Sequence, residues 1–181
     1  TEVTNALGQT TRYEYDLANQ RTLQVDASGL VTRFKYDALY NLTEQTVENR
    51  WIDTLNGNLE KLDRLTTTWS HDLNNRVTDQ IVDPTGLNLH TAWRYDSLGS
   101  RIAEVSANGF EVAGSNADWA RAVRRDLGLT DLSGQGLDAR LLTVAQRQAV
   151  LDAYTTRTWF DAAGRAVLTV DPNGHARSTQ Y

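Results

Sequence analysis

Along this chain apolar and polar positions alternate over short stretches, and helical spacing is confined to one region. Tyr13 and Tyr15 fall on one side of an extended stretch, with Arg12, Glu14 and Asp16 on the other, which is the two-residue period of a strand. Tyr, Phe, Trp and Thr fill such stretches and favour a pleated surface. Clusters of Asp, Asn, Gly and Pro interrupt them every 10–11 residues. The pattern predicts a mainly β fold, an antiparallel meander of repeated β-hairpins.

The stretches are copies of one another. Gly8–Asp16 laid over Gly29–Asp37 matches at Gly, Thr, Arg, both aromatics and Asp after a shift of 21. Further copies run through Trp69–Asp72, Gly86–Asp96 and Thr158–Asp161, and another begins at Gly174. Their shared mark is an aromatic residue before Asp: Tyr15-Asp16, Tyr36-Asp37, His71-Asp72, Tyr95-Asp96 and Phe160-Asp161. Asn19, Asn75, Gly99 or Gly164 follows, then Arg21, Arg76, Arg101 or Arg165; the copy at Asp37 departs with Tyr40-Asn41-Leu42. The Asp side chain accepts a backbone N–H two residues on, and Asn or Gly tolerates the left-handed conformation, so this is a turn. A second turn closes each unit at Asp26-Ala-Ser-Gly29, Asp83-Pro-Thr-Gly86, Ser106-Ala-Asn-Gly109 and Asp171-Pro-Asn-Gly174, with the Pro and Gly placement of a type I turn.

Two segments break the period. Asp37 to Asp72 spans 35 residues, and the extra piece lies within residues 47–66. Asn56-Gly57 signals a projecting hairpin, whereas Leu59, Leu62 and Leu65 would suit a short helix. Asp96 to Asp161 spans 65 residues. Within it, residues 110–153 turn helical. Ser115-Asn-Ala-Asp118 marks a helix start and Trp119, Val123 and Leu127 mark its apolar face. Thr143-Val-Ala-Gln146 is a capping box that opens a second helix to about Ala153. Two helices are therefore expected, plugging the fold, covering an apolar face or meeting a partner. Arg121, Arg124 and Arg125 fall opposite the apolar stripe, as a solvated face paired with Asp118 and Asp126.

Composition narrows the chemistry. The 181 residues include no Cys, which excludes disulfides and thiolate metal sites. The absence of Met and a pattern already in phase at Thr1 read as a piece of a longer polypeptide. The net charge of −5 argues against broad nucleic-acid binding. No apolar run is long enough for a membrane-spanning helix. The five aspartates occupy equivalent turns, so turn capping explains them better than a catalytic pair in one cleft. The three His lie far apart with no metal spacing, and His71 stands in for an aromatic. No nucleophile elbow or phosphate loop occurs. The expectation is no enzyme, no metal and no cofactor. The aromatic column of Tyr13/Tyr15, Phe34/Tyr36, Trp69/His71, Trp93/Tyr95 and Trp159/Phe160 is expected to stack across strands. Trp69 and Trp93 are the candidates for stacking on a sugar.

Five in-phase copies of the aromatic-Asp turn, with the Asp-Pro-x-Gly turn between them, resemble the RHS/YD-repeat family. The resemblance covers residues 1–109, with the insertion at about 47–66, and resumes over 154–181. It implies a β-sheet strip that spirals into a hollow shell and encloses a C-terminal toxin domain in bacterial polymorphic toxins and Tc toxins. It implies flanking repeats of the same chain as partners, a glycan as a further candidate, and a secreted or cell-surface bacterial location. The family's self-cleaving core is absent. Asp83-Pro-Thr-Gly-Leu87 is similar in five letters but continues into a strand and reads as a turn.

Overall fold

The computed structural model describes residues 1–53 and 59–181. The chain divides into two compact units, Thr1–Asn88 and Leu89–Tyr181. Among the described residues the architecture is an antiparallel β meander of twelve strands with three α-helices.

The first unit holds β1 (Glu2–Thr4), β2 (Thr10–Tyr15), β3 (Arg21–Val25), β4 (Val31–Tyr36), β5 (Leu42–Asp53), β6 (Leu59–His71) and β7 (Val77–Val82). Each pairs antiparallel with the next. A register shift falls just before the aromatic-Asp pair of each copy, at Glu14/Tyr15, Lys35/Tyr36 and Ser70/His71. It goes with a left-handed residue in the following turn, Asn19, Tyr40 or Asn75. A type I turn extended by one left-handed residue makes this bulge and matches the twist of the flanking strands.

The segment 47–66 lengthens two strands. β5 and β6 stay paired from Glu44↔Thr68 out to Asp53↔Leu59. Leu59, Leu62 and Leu65 lie in β6, so the helical alternative is excluded. Leu62 and Leu65 are exposed, and their spacing reflects no buried helical face. The turn expected at Asn56-Gly57 lies outside the described residues.

The second unit holds β8 (Leu89–Tyr95), β9 (Arg101–Val105), β10 (Thr155–Phe160), β11 (Ala166–Val170) and β12 (Ala176–Ser178). The same shift recurs at Arg94/Tyr95 and Trp159/Phe160. Between β9 and β10 the chain leaves for α1 (Ala107–Gly114), α2 (Asp118–Asp126) and α3 (Val144–Ala153). It returns in register, with Val105 opposite Thr155.

Three helices stand where two were expected. The segment Ser106–Gly109 is the start of α1 and not an inter-strand turn: Ser106 is its N-cap and Gly109 is buried inside it. The first hydrogen bond, Gly109 N to Ser106 O at 3.1 Å, is common to a turn and a helix start, which is why the motif misleads. Gly109 is needed for close approach, since a Cβ there would lie 2.7 Å from the Tyr154 Cβ. The capping box of α3 forms, with Thr143 and Gln146 exchanging bonds of 2.9 and 3.2 Å. At α2 the N-cap is Ala117 without a side-chain bond. Asn116 instead accepts from Ala139 N at 2.7 Å and so ties two parts of the insertion together.

The buried core of this unit lies in the insertion: Val112, Ala113 and Val150, flanked by Val123, Leu129, Leu151 and Tyr154. His90 of β8 stacks on Phe110 of α1 with centroids 3.6 Å apart. The expected α2 stripe is displaced. Trp119 and Leu127 are exposed, while Ala120 and Arg124 are buried. Arg124 is therefore not on a solvated face. Its guanidinium donates to Leu137 O at 2.7 Å, to Ser115 O at 2.8 Å and to Val112 O. Arg147 donates to Ala113 O and Ala139 O at 2.8 and 2.9 Å. Val112, Ala113 and Ser115 supply carbonyls around the end of α1. Two cations there satisfy groups that lack helical partners and offset the negative end of its dipole. Burial, and then the nearby Arg121, hold the Arg124 guanidinium below the ordinary arginine value.

Candidate functional site

The repeated turn is one geometry, and at Asp37, Asp72 and Asp161 the carboxylate has a second use. Oδ1 of Asp16 accepts the N–H groups of Ala18 and Gln20, both at 2.9 Å. Asp37, Asp72, Asp96 and Asp161 repeat this at the same offsets. In three copies Oδ2 takes the side chain four residues on. Arg76 takes it at 2.7 Å, Arg165 at 2.8 Å and Asn41 at 3.0 Å. Where the arginine comes one residue later, it serves the strand instead: Arg21 lies over the Phe34 ring at 4.4 Å, and Arg101 pairs with Glu104 at 3.4 Å.

These bonds hold the carboxylates charged. The Asn41 amide keeps Asp37 below the usual range, the Arg76 guanidinium does so for Asp72, and the Arg165 backbone N–H does so for Asp161. The second-turn Asp26 and Asp171 are lowered chiefly by the Ser28 hydroxyl and the His175 N–H. Each aspartate serves its own turn. Among the described residues no group of three or more His, Asp or Glu is placed to hold a metal ion.

The second turns are less uniform. Asp26 and Asp171 copy the first-turn bonds, with left-handed Gly29 and Gly174. At Asp83 the aspartate itself is left-handed, with φ 52°, and its Oδ2 accepts Leu87 N at 2.9 Å. A Cβ on Gly86 would lie 2.2 Å from that carboxylate.

Two tyrosine hydroxyls reach back by one unit. Tyr36 donates its hydroxyl to Arg21 O at 3.0 Å, one unit back. Tyr181 does the same to Ala166 O at 3.3 Å, with Arg165 over its ring at 4.6 Å. His71 fills the equivalent slot with a shorter side chain, and its buried Nδ1 finds no hydrogen-bond partner.

The two faces of the first unit differ. Directly opposed residues share a face, and Tyr13, Phe34 and Trp69 stand opposite Gln24, Gln45 and Gln80. In the second unit Trp93 stands opposite Glu104 and donates to it at 2.9 Å. The column is thus aromatic-to-amide in the first unit and aromatic-to-carboxylate at Trp93, not the expected ring-on-ring stack. Trp159 leaves it altogether. It sits one residue off the register of Tyr13 and faces the other way, opposite Leu168. The reverse face of the first unit carries ion pairs. Glu48, buried, meets Arg64 at 2.7 Å and Arg33 at 3.5 Å, and Lys35 meets Glu44 at 2.8 Å. With Thr46, Thr66 and Thr68 they line a polar groove of about 590 Å³. The Arg64 guanidinium is the chief cause of Glu48's lowered pKa.

Register also sets a stagger. Tyr13 stands level with Gln24 and Thr32, and its counterpart Phe34 lies two residues beyond Thr32. Phe34 stands level with Gln45 and Thr67, and its counterpart Trp69 lies two beyond. In the second unit Trp93 is level with Glu104 and Thr156, and Thr158 lies two beyond. Equivalent rings are therefore about 12 Å apart by strand geometry, too far to stack. One residue of stagger per strand, always in one sense, is the ratio of an eight-stranded barrel of shear 8, with strands tilted about 36°.

Residues 1–27 and 17–50 match the family model described as RHS Repeat. No curated protein matches the chain. Among solved structures, a chain of the crystal structure of TcdB2-TccC3-Cdc42 is similar at 14% identity and a TM-score of 0.33 over 90% of this chain. The present chain spans 7% of that one. No helix among the described residues is long and apolar enough to cross a membrane.

Proposed function

We propose, from the match of residues 1–27 and 17–50 to the RHS Repeat model, that the chain is a wall segment of an RHS β-shell enclosing a toxic effector in a secreted or surface-delivered bacterial toxin. The constant stagger carries this reading. A sheet whose strands shift one residue per step in one sense is tilted as closure about an axis requires. The turns favour the same role. Every first-turn carboxylate is spent on backbone N–H groups, so its work is to fix the rim and not to do chemistry. Each hairpin is stabilised by its neighbours, as in other repeat arrays. Flanking repeats and the enclosed domain are the partners this reading names, and its contribution is mechanical with no cofactor.

The experiment is protection of the cargo. In the complete polypeptide the effector should resist protease until the repeats are opened by acid or denaturant. Cleavage of the effector at the same rate with the repeats intact would refute containment.

A second reading, carbohydrate binding, draws on one observation: among the described residues no hydrogen bond engages the Gln80 amide beside half-buried Trp69. A ring next to an amide suits a sugar. Glycan-array binding that falls on Trp69→Ala or Trp93→Ala, with folding kept, would favour it. An array with no signal would end it.

A further inference from the structure

Twist, stagger and backbone hydrogen bonds together tell the two faces of the first unit apart as inside and outside. Stand β2 upright with β3 on its right. Each copy of the repeated ring then lies further up than the last. Phe34 is two residues beyond Thr32, the point on β4 level with Tyr13. Trp69 is two beyond Thr67, the point on β6 level with Phe34. Neighbouring strands rotate by about −20 to −25° from one to the next, a hand fixed by L-residues. A ribbon running obliquely across strands so rotated must curl, and its direction of climb decides toward which face. Climbing to the right in this view, the strands wind as a right-handed coil about an axis behind the sheet, as in closed barrels. The viewer therefore stands outside.

Backbone bonds then place the side chains. In an upright strand of L-residues, a side chain turned toward the viewer leaves its own N–H and C=O on the right, and one turned away leaves them on the left. Tyr13 bonds to the left: its N–H donates to Thr1 O at 2.7 Å and its carbonyl accepts from the Thr1 amino group at 2.9 Å. Tyr13 thus points inward, and Gln24, Phe34, Gln45, Trp69 and Gln80 share its face. Thr66 bonds to the right, accepting from Asp83 N at 2.7 Å. It points outward, on the face of Arg33, Thr46 and the Glu48 ion pairs. Bonds at opposite ends of the unit give the same answer.

The faces differ in chemistry. The inward rows Tyr13-Gln24-Thr32, Phe34-Gln45-Thr67 and Trp69-Gln80 present rings, primary amides and hydroxyls. Arg21 reaches over the Phe34 ring at 4.4 Å and spends its charge there and on Gln24 Oε1 at 2.9 Å. The outward rows carry the ion pairs, whose charges prefer water. Rings cover apolar side chains, and amides both donate to and accept from peptide groups.

We propose that the face of Tyr13, Phe34 and Trp69, with its glutamines, is the lining that touches the enclosed effector. It takes uncharged polypeptide segments, their peptide groups on the amides and their apolar side chains on the rings. This rests on the wall reading above and adds its sidedness.

Labelling of the complete polypeptide tests it. Residues 1–181 contain no Cys, so one can be introduced on either face, Gln24→Cys or Gln45→Cys inward and Arg12→Cys or Lys35→Cys outward. A polymer-linked maleimide too large to enter a shell, read by peptide mapping, should modify the outward pair equally with the wall intact or opened by denaturant. The inward pair should react at least ~10-fold more slowly until opening, because labelling then follows the opened fraction. p-Benzoylphenylalanine placed at Phe34, a ring for a ring, should crosslink to the effector, and at Lys35 it should not. Where a cysteine variant loses its fold, the crosslinker at Phe34 decides. The reverse pattern, with Gln24 and Gln45 open to the polymer and crosslinks from Lys35, would overturn the assignment and leave containment standing. Protected inward cysteines with no crosslink from Phe34 would overturn the contact with the effector. Equal rates on both faces would mean an open strip and overturn the wall reading as well.

Discussion

Among the described residues of the first unit, the side chains shut off from water are Thr46 and Glu48; in the helical insertion they are Val112, Ala113, Ala120, Ala139, Leu142 and Val150, with Arg124 among them. The sheet unit is held by ladders, turn carboxylates and ion pairs, with no second layer to bury an apolar face. The insertion has an apolar core, but its helix ends fall inside that core, so a buried arginine must satisfy their carbonyls. Local polar bonds thus carry the repeats, and one long-range polar strut carries the insertion. Damage should stay local in the first and spread in the second.

The largest effect should follow Arg124→Leu. It strands the carbonyls of Val112, Ser115 and Leu137, a cost of about 3–9 kcal/mol at 1–3 kcal/mol per unpaired buried group. Arg124→Lys should recover little, because one ammonium cannot span three divergent acceptors. Hydrogen exchange should show α1–α3 losing protection while β2–β7 keep theirs. Equal loss in both units would erase the contrast.

Acid should act in the opposite order. Asp37, Asp72 and Asp161 titrate below the usual carboxylate range in the folded chain. Groups with depressed folded pKa values contribute fully above the unfolded value near 3.9 and lose that contribution as pH falls through the folded values. Asp138, held furthest below by Arg140, keeps its charge longest. Stability should be level from about pH 5 to 8 with respect to these groups. Below about pH 4 the turns should exchange before the insertion does. Simultaneous loss would contradict the separation.

Smaller gains sharpen the same picture. Tyr40 is a bulky residue at φ 68°, where the left-handed conformation costs about 1 kcal/mol. Tyr40→Asn, as at Asn19 and Asn75, should return about that amount in chemical denaturation. His71→Tyr should restore the hydroxyl bond seen at Tyr36 and release the orphaned Nδ1, raising stability by about 0.5–1 kcal/mol. A loss at either position would mean that the copies are not equivalent.

The turns were legible because they are local: Asp, a left-handed Asn or Gly, and a return strand lie within five residues. The capping box of α3 was legible for the same reason. Ser106–Gly109 misled because a turn and the first turn of a helix begin with the same bond. Arg124 misled because three nearby arginines with two aspartates read as a charged surface, and its carbonyl partners come from the helix before it and the loop after it. The stagger and the aromatic–Gln pairing depend on register across hairpins, which the repeat length alone does not fix. The exposed Trp159 was visible as an aromatic, but its one-residue offset, which turns it to the other face, was passed over.

Electron cryomicroscopy of the complete polypeptide tests the central claim most directly. The expected image is a continuous strip, staggered one residue per strand, curving around an enclosed volume that holds additional density. A flat or open strip with solvent on both faces of residues 1–88 would contradict it.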